Sequence, residues 1–428
     1  MRVLIIGAGT GGLALAHKLK QAGIGVSVFE RDTVPNADTG GYRVGISPAG
    51  SRALKACVPP DLYELFVATS ARAPQNMTMY TEQFSRLLRF DLDSAIADGE
   101  RNVIRQTLRR VLLRGLEREV DFGKRLLRYE TNVDGTVNAY FEDGSHANGD
   151  VLVGADGTGS AVRRQRLPDA RLEDTGMASF GGKLPASPEI RVLLTPAILQ
   201  GMSMILAPGG FGAIIHSLDF SNQRADHHFV DRWPDFVDAL DDSIGWGLWG
   251  ARQNFPQDPD GLNGEALQQL GLVVTRNWAP QMRELIGRTD PVTIASVRVR
   301  TSIPPSPWES SCVTMLGDAI HTMTPKRGAG ANTALRDAAL LGDLLIEADR
   351  GKRSMVESIR DYEAEMLRYS AEAVRESKKQ MDGKALIHRP LIGNVQLALM
   401  RCAMRTIDIV PPLKRRALEK IMRVRGEN

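Results

Sequence analysis

The stretch Val3-Leu4-Ile5-Ile6-Gly7-Ala8-Gly9-Thr10-Gly11-Gly12, continued by Leu13 to Leu19 and then Val26-Ser27-Val28-Phe29-Glu30, decides the fold. An apolar run meets glycines spaced as GxGxxG, then residues of helical period, then a second apolar run closed by an acid. That order spells strand, tight turn, helix and strand, the opening of a Rossmann dinucleotide-binding unit. Each glycine has its own physical task. Gly7 makes the turn, Gly9 lets backbone approach a pyrophosphate, and Gly12 lets the helix sit close to the sheet. Thr10 and Gly11 stand at the helix start, where free N–H groups and the positive end of the helix dipole suit phosphate. Glu30, followed by Arg31, is placed to take ribose hydroxyls. This favours an unphosphorylated ribose, as in NAD or FAD, and leaves the choice between them open.

A second glycine signature lies far downstream: Gly317-Asp318-Ala319, running into Gly328-Ala329-Gly330-Ala331-Asn332. Together the two imply one dinucleotide held from both ends of the chain. The 428 residues are 43% hydrophobic and 25% charged, an ordinary globular balance with room for two or three domains. A net charge of +3, with basic residues spread among acidic ones, argues against a nucleic-acid partner. Cys57, Cys312 and Cys402 are odd in number and widely spaced, so neither a disulfide framework nor a metal cluster is expected. The N-terminal apolar run is too short for a signal sequence and already belongs to the nucleotide motif. The expected compartment is therefore reducing and cytoplasmic.

Between the signatures the character of the chain changes. Pro35 to Gly45 is a turn-rich loop carrying Tyr42 and Arg43, and a helix is expected around Ala49 to Ala56. Met77–Tyr80 and Leu87–Phe90 read as short strands that break the strand–helix alternation. Val103-Ile104-Arg105-Gln106 leads into a helix with Leu108, Val111, Leu112 and Leu116 on one face. Val137–Phe141, an Asp143-Gly144 turn and Val151–Val153 predict a hairpin, and the last strand ends in Gly154-Ala155-Asp156-Gly157. Met202–Leu206, Pro208-Gly209-Gly210 and Phe211–Leu218 predict another hairpin, and Val292–Ile303 a long extended segment. The expected fold is α/β: a discontinuous nucleotide-binding domain (1–172 and 306–350), an inserted antiparallel substrate sheet (173–305) joined by the strands near 77–90, and C-terminal helices (351–428). Leu391–Val410 is apolar but broken by Arg401 and Arg405, a poor membrane span. After Pro411-Pro412 comes a basic amphipathic end. It fits either an anionic membrane surface or docking on the cofactor domain, and docking is the favoured reading because its apolar residues are needed to cover that domain.

With GxGxxG, the Gly154-Ala155-Asp156-Gly157 strand end and the Gly317-Asp318 motif in order, the chain resembles the single-component FAD-dependent aromatic hydroxylases, the para-hydroxybenzoate-hydroxylase-like monooxygenases. The likeness covers most of residues 1–172 and 306–350. The resemblance implies FAD as cofactor and NADPH or NADH as transient electron donor. It implies that oxygen adds at flavin C4a and that the resulting hydroperoxide hydroxylates or epoxidises an electron-rich aromatic or polycyclic molecule. Residue by residue, Glu30 is similar to the acid on the FAD ribose, and Arg43 to the loop position that approaches the flavin or its ribose. Arg105 matches an arginine on the cofactor chain, Asp156 a position supporting both FAD and NAD(P)H, and Asp318 the acid on the ribityl hydroxyls. Gly328, Gly330, Ala331 and Asn332 would bring backbone N–H groups to the pyrimidine edge of the flavin, where small residues allow close approach.

The catalytic residues stay open; His216 and Pro325 are candidates only, and His321 is read as structural. Lys326-Arg327, before the second glycine turn, is read as a solvated turn. Met202, Met204, Ile214, His216, Leu218, Trp246 and Trp249 are candidates to line an apolar pocket. Trp246-Gly247-Leu248-Trp249 does not match the Trp-x-Trp-x-Ile-Pro segment of flavin halogenases. An isoprenoid reductase or epoxidase of the same superfamily, and a non-catalytic FAD-binding protein, share the nucleotide motifs and remain alternatives.

Overall fold

The computed structural model describes residues 1–35, 43–92 and 100–426, and Tyr42 lies outside them. The strand β1 (Arg2–Ile6), the helix Thr10–Gln21 and β2 (Gly25–Glu30) form the expected βαβ start. β3 (Arg43–Ile46) precedes the Pro48–Cys57 helix; β4 (Asn76–Thr81) and β5 (Arg86–Asp91) follow, then β6 (Arg101–Ile104) and the Arg105–Leu113 helix. Next come β7 (Val120–Phe122), β8 (Leu126–Thr131), β9 (Val137–Phe141), β10 (His146–Gly149) and β11 (Val151–Gly154). The inserted region supplies β12 (Leu172–Pro185), β13 (Gly201–Leu206), β14 (Gly212–Leu218), β15 (Ser243–Ala251) and β16 (Ala295–Ser302) before the chain returns as β17 (Val313–Met315).

Two large sheets result. The cofactor sheet is parallel, in the order β17-β11-β1-β2-β7. Its central strands are buried on both faces, which is why they read as unbroken apolar runs. The substrate sheet runs β16-β12-β15-β14-β13-β4-β5, with β4 entering beside β13 as its one parallel neighbour. The strands near 77–90 thus join it as expected.

Two sequence expectations change. The Asp143-Gly144 turn joins β9 to β10, a strand the sequence reading missed, whereas Val151–Gly154 pairs with β1 and β17. β10 alternates with exposed polar residues, while β11 is buried throughout and so belongs in the parallel core. The second change concerns residues 351–428. The helix Met355–Lys379 inserts Ile359, Tyr362 and Met366 into the cofactor-domain core, and the Tyr362 hydroxyl donates to the Met315 carbonyl at 2.9 Å. The same helix touches the substrate sheet through Lys378, paired with Glu173 of β12, and the helices after it, Ile392–Ile409 and Pro411–Gly426, lie against that sheet through a cluster of Met77, Leu88 and Phe90 with Met404, Ile407, Leu418 and Ile421. The basic end therefore docks by its apolar face, though on the substrate sheet as well as beside the Pro48–Cys57 helix of the cofactor domain.

Candidate active site

The first signature shapes one wall of a cleft. Gly7 has φ +111°, and a side chain there would meet the Ala155 carbonyl oxygen at 2.4 Å. A Cβ on Gly12 would lie 2.2 Å from the Gly7 carbonyl oxygen and 3.1 Å from Ala155, so the first helix turn packs on the strand ends only without one. A Cβ on Gly9 meets nothing within 4 Å; Gly9 faces open space, as backbone that approaches a ligand should. Gly7 and Gly9, with Thr10, Glu30, Arg31, Arg105, Asp156 and Gly157, line a cleft of about 440 Å³. Glu30 accepts from the Ala8 N–H at 2.7 Å and the Asp32 N–H at 3.0 Å, which fixes its carboxylate at the cleft wall.

Arg109, which the sequence reading passed over, sits behind that acid, 2.7 Å from Asp32 and 3.5 Å from Glu30. It lies one helical turn after Arg105, so the i, i+4 spacing was the signal. Arg163 was missed too. It donates to the carbonyls of Ala319 and Thr158, both at 2.8 Å, and so ties the Asp156 loop to the Asp318 turn. Nothing in its spacing announced this. Asp156 accepts the Ala161 N–H at 2.7 Å through one oxygen, capping the next short helix, and its other oxygen is buried with no partner among the described residues.

Downstream, Asp318 is exposed at the turn after β17, with His321, Arg105 and Asp337 as its charged neighbours. Protein packed around its remaining sides lifts its carboxyl above the usual range, while His321 and Arg105 pull it down. Beneath the turn is a buried network. Asp337 accepts the Gly317 N–H at 2.8 Å, pairs with His321 Nε2 at 2.6 Å and accepts the Tyr369 hydroxyl. Burial disfavours the His321 imidazolium, but the Asp337 carboxylate outweighs it and the pKa rises above the ordinary value. His321 is thus bonded into the scaffold, in keeping with its structural reading.

The Gly330–Asp349 helix begins beside Asp318, at residues small enough for a ring to lie against. Asn332 fixes this turn: its Oδ1 accepts the Ser47 N–H at 2.8 Å, and its Nδ2 donates to Gly328 at 2.8 Å and Gly45 at 3.0 Å. Its side chain therefore clasps β3, leaving the backbone of Gly330 and Ala331 at the helix start. Arg43, on β3, donates to Asn102 Oδ1 at 2.9 Å and raises the local positive potential at His216.

Register sorts the pocket candidates. Met202 pairs with His216 and Met204 with Ile214, and Gly245, Gly247 and Trp249 continue the same face across β15. Burial and the Arg43 charge push the His216 pKa well below its usual value, so the imidazole is neutral. Trp246 points the other way: it is fully buried, packs edge-on to Phe180 at 6.1 Å and donates its N–H to Thr289 at 2.8 Å. Leu218 belongs to the cofactor-domain core. Both leave the list of lining residues, because strand parity and packing aim them elsewhere. Pro325 is exposed at the start of a short turn. Lys326, in that turn, is not solvated as expected. It is half-buried, with its ammonium 5.3 Å over the Trp249 ring and 3.4 Å from the Gln380 carbonyl, and burial lowers its pKa.

Asp318 lies beside the Gly330 helix start, and Lys326, four residues before Gly330, rests over Trp249 of the substrate sheet. The phosphate-favouring Gly7–Gly12 turn, the ribose acid Glu30 and the small-residue turn at Gly328–Ala331 fit a flavin dinucleotide. Residues 5–56 match the NAD(P)-binding Rossmann-like domain family and residues 274–377 the FAD binding domain family. The chain is 30% identical to the FAD-dependent urate hydroxylase of Klebsiella oxytoca, over 89% of this chain and 90% of that one. It is 34% identical to a dual O-methyltransferase/FAD-dependent monooxygenase of Cercospora beticola, over 85% of its own length but 44% of the relative's, so it spans less than half of that protein. A solved putative FAD-containing monooxygenase of Photorhabdus luminescens superposes with a TM-score of 0.79 at 32% identity, over 91% of this chain and all of the other. The chain belongs to the FAD-dependent monooxygenases, and its cofactor is FAD.

Proposed function

We propose that this protein uses NADPH or NADH to drive oxygenation, by hydroxylation or epoxidation, of an electron-rich aromatic or polycyclic small molecule lying on the inner face of the substrate sheet. When bound, FAD supplies the redox chemistry that activates O₂. The observation that carries the reading is the Lys326–Gly330 turn, which sits over Trp249 of the substrate sheet at one end and beside Asp318 at the other. Glu30 and the Gly7–Gly12 turn would hold the adenosine and pyrophosphate; Asp318 and Arg105 would hold the central chain. The N–H groups of Gly330 and Ala331 would favour negative charge on the ring edge.

Met204, Ile214 and Trp249 offer a face that excludes water, which preserves reduced oxygen species for transfer. The neutral His216 imidazole suits a hydrogen bond with a phenol or enol, and the half-buried Lys326 ammonium suits its ionised oxygen. That the urate hydroxylase relative acts on an electron-rich heteroaromatic ring supports the same substrate class.

The test is oxidation of NADPH and of NADH, followed together with peroxide release, in the presence of a panel of phenols and polycyclic phenols. Substrate-stimulated oxidation with little peroxide supports the proposal. Flavin-loaded protein that oxidises neither nucleotide under any condition would overturn it, in favour of a non-catalytic FAD binder.

A further inference from the structure

The helix Ile392–Ile409 carries an apolar stripe on its outer side. Two of its three charges, Arg401 and Asp408, point inward, while Arg405 faces solvent. Arg401 pairs with Glu82 of the β4–β5 turn, and Asp408 accepts the Arg89 N–H at 3.1 Å and the Lys414 ammonium at 3.0 Å. Leu397, Met404 and Ile407 face inward as usual, yet a second apolar set faces out: Leu391, Ile392, Val395, Leu399 and Ile409 are 53–81% exposed. Spacings of three and four residues, continued by exposed Cys402, put Ile392, Val395 and Leu399 on one stripe. No helix among the described residues is long and apolar enough to cross a membrane. A helix of this kind buries its stripe by lying flat in an interface.

Charge identifies the occupant. From Lys384 to Gly426 the sequence holds ten lysines and arginines against two acids, Asp408 and Glu419, whereas the whole chain has a surplus of only three positive charges. The rest of the molecule is therefore net negative. Lys384, Arg389, Arg405, Arg415, Arg416 and Lys420 are all exposed in this segment. A second copy of the chain on this face would bring like charges together, whereas an anionic lipid surface would neutralise them. We propose that the outward face of this helix seats the protein on an anionic membrane surface, apolar stripe inserted at the headgroup level and the basic tail alongside. The docked Pro411–Gly426 helix serves as a support for it.

The test uses full-length, FAD-loaded protein sedimented with phosphatidylcholine vesicles, with or without about a quarter phosphatidylserine, at low and high salt. Binding should require phosphatidylserine, weaken as salt rises, and fall at least about tenfold in Leu399→Glu and in Val395→Glu, both with unchanged FAD content. Arg405→Gln, Arg416→Gln and Lys420→Gln should each weaken binding about fivefold, on anionic vesicles only. Absence of binding by the parent protein, equal binding to neutral vesicles, or full binding by Leu399→Glu would overturn the proposal. So would a concentration-dependent dimer, seen by light scattering, that Leu399→Glu dissociates. None of these readouts depends on turnover, so failure here is distinguishable from failure of the oxygenase reading.

Discussion

The cofactor domain and the substrate sheet are built on opposite principles. In the cofactor domain the decisive contacts are made by backbone: a side chain on Gly12 would collide with the Gly7 carbonyl, and the turn at Gly317 is held through its own N–H by Asp337. In the substrate sheet they are made by side chains on alternating faces, with Trp246 packed behind the sheet and Trp249 in front. Backbone requirements admit few residue types, so they leave motifs. A sheet face accepts many apolar residues, so it leaves only a period.

The comparison breaks most visibly at Gly12. Gly12→Val should yield protein with no flavin absorbance, since the clash is with backbone that cannot step aside; a yellow variant would show that the close packing is dispensable. Next is Asp337→Ala, which strands the Gly317 N–H, His321 and Tyr369 in the interior and should cost about 3–5 kcal/mol, read as a lowered melting temperature with loss of FAD. Unaltered melting would mean that the network is not holding the turn.

A sharper contrast between the two regions comes from Asp318→Ala and His216→Ala. Each hydrogen bond that a bound flavin loses at Asp318 should cost about 1–3 kcal/mol, so flavin is lost on gel filtration, whereas His216→Ala retains it and changes only the response to phenols. Full flavin occupancy in Asp318→Ala would remove that residue from the cofactor site. Within the sheet, Trp246→Phe should cost about 1–2 kcal/mol of stability without altering substrate affinity, by loss of the Thr289 bond and some packing, while Trp249→Ala should raise KM as well as lower stability. Paired thermal melts and KM values decide this, and a KM effect from Trp246→Phe would mean that its face is misassigned.

The smallest effect concerns pH. Because the folded pKa of His321 is raised, its contribution to stability is complete below the ordinary histidine value of about 6.5 and is lost as pH climbs through the folded value. Comparing melting temperatures of parent and His321→Gln across that range should show a difference that shrinks as pH rises. A gap that grows with pH would contradict the protonated pairing with Asp337.

Much of the candidate cofactor site was legible because its residues are adjacent in sequence or spaced by one turn. Gly7 to Gly12, Glu30 and the Gly328–Gly330 turn could be read directly, and Arg109 was readable from its i, i+4 relation to Arg105 though it was not read. Arg163 and Asp337 were not legible. Their partners lie 156 and 20 residues away, respectively, and no local period links them. Lys326 failed for another reason: a charged turn between glycines ordinarily faces water, and only the arrival of Trp249 and Gln380 from distant elements buries it.

By itself the sequence determined the two nucleotide signatures, the alternation that makes a second sheet, and the family to which both belong, because those rest on local backbone geometry and short-range periodicity. Only the tertiary structure decided which face of the substrate sheet each tryptophan takes, which hairpin Asp143-Gly144 closes, that the Met355–Lys379 helix belongs to the cofactor core, and that the Ile392–Ile409 helix leaves an apolar stripe exposed. Each of those depends on which distant surface buries a residue, and burial is a property of the assembled layers rather than of any stretch of chain.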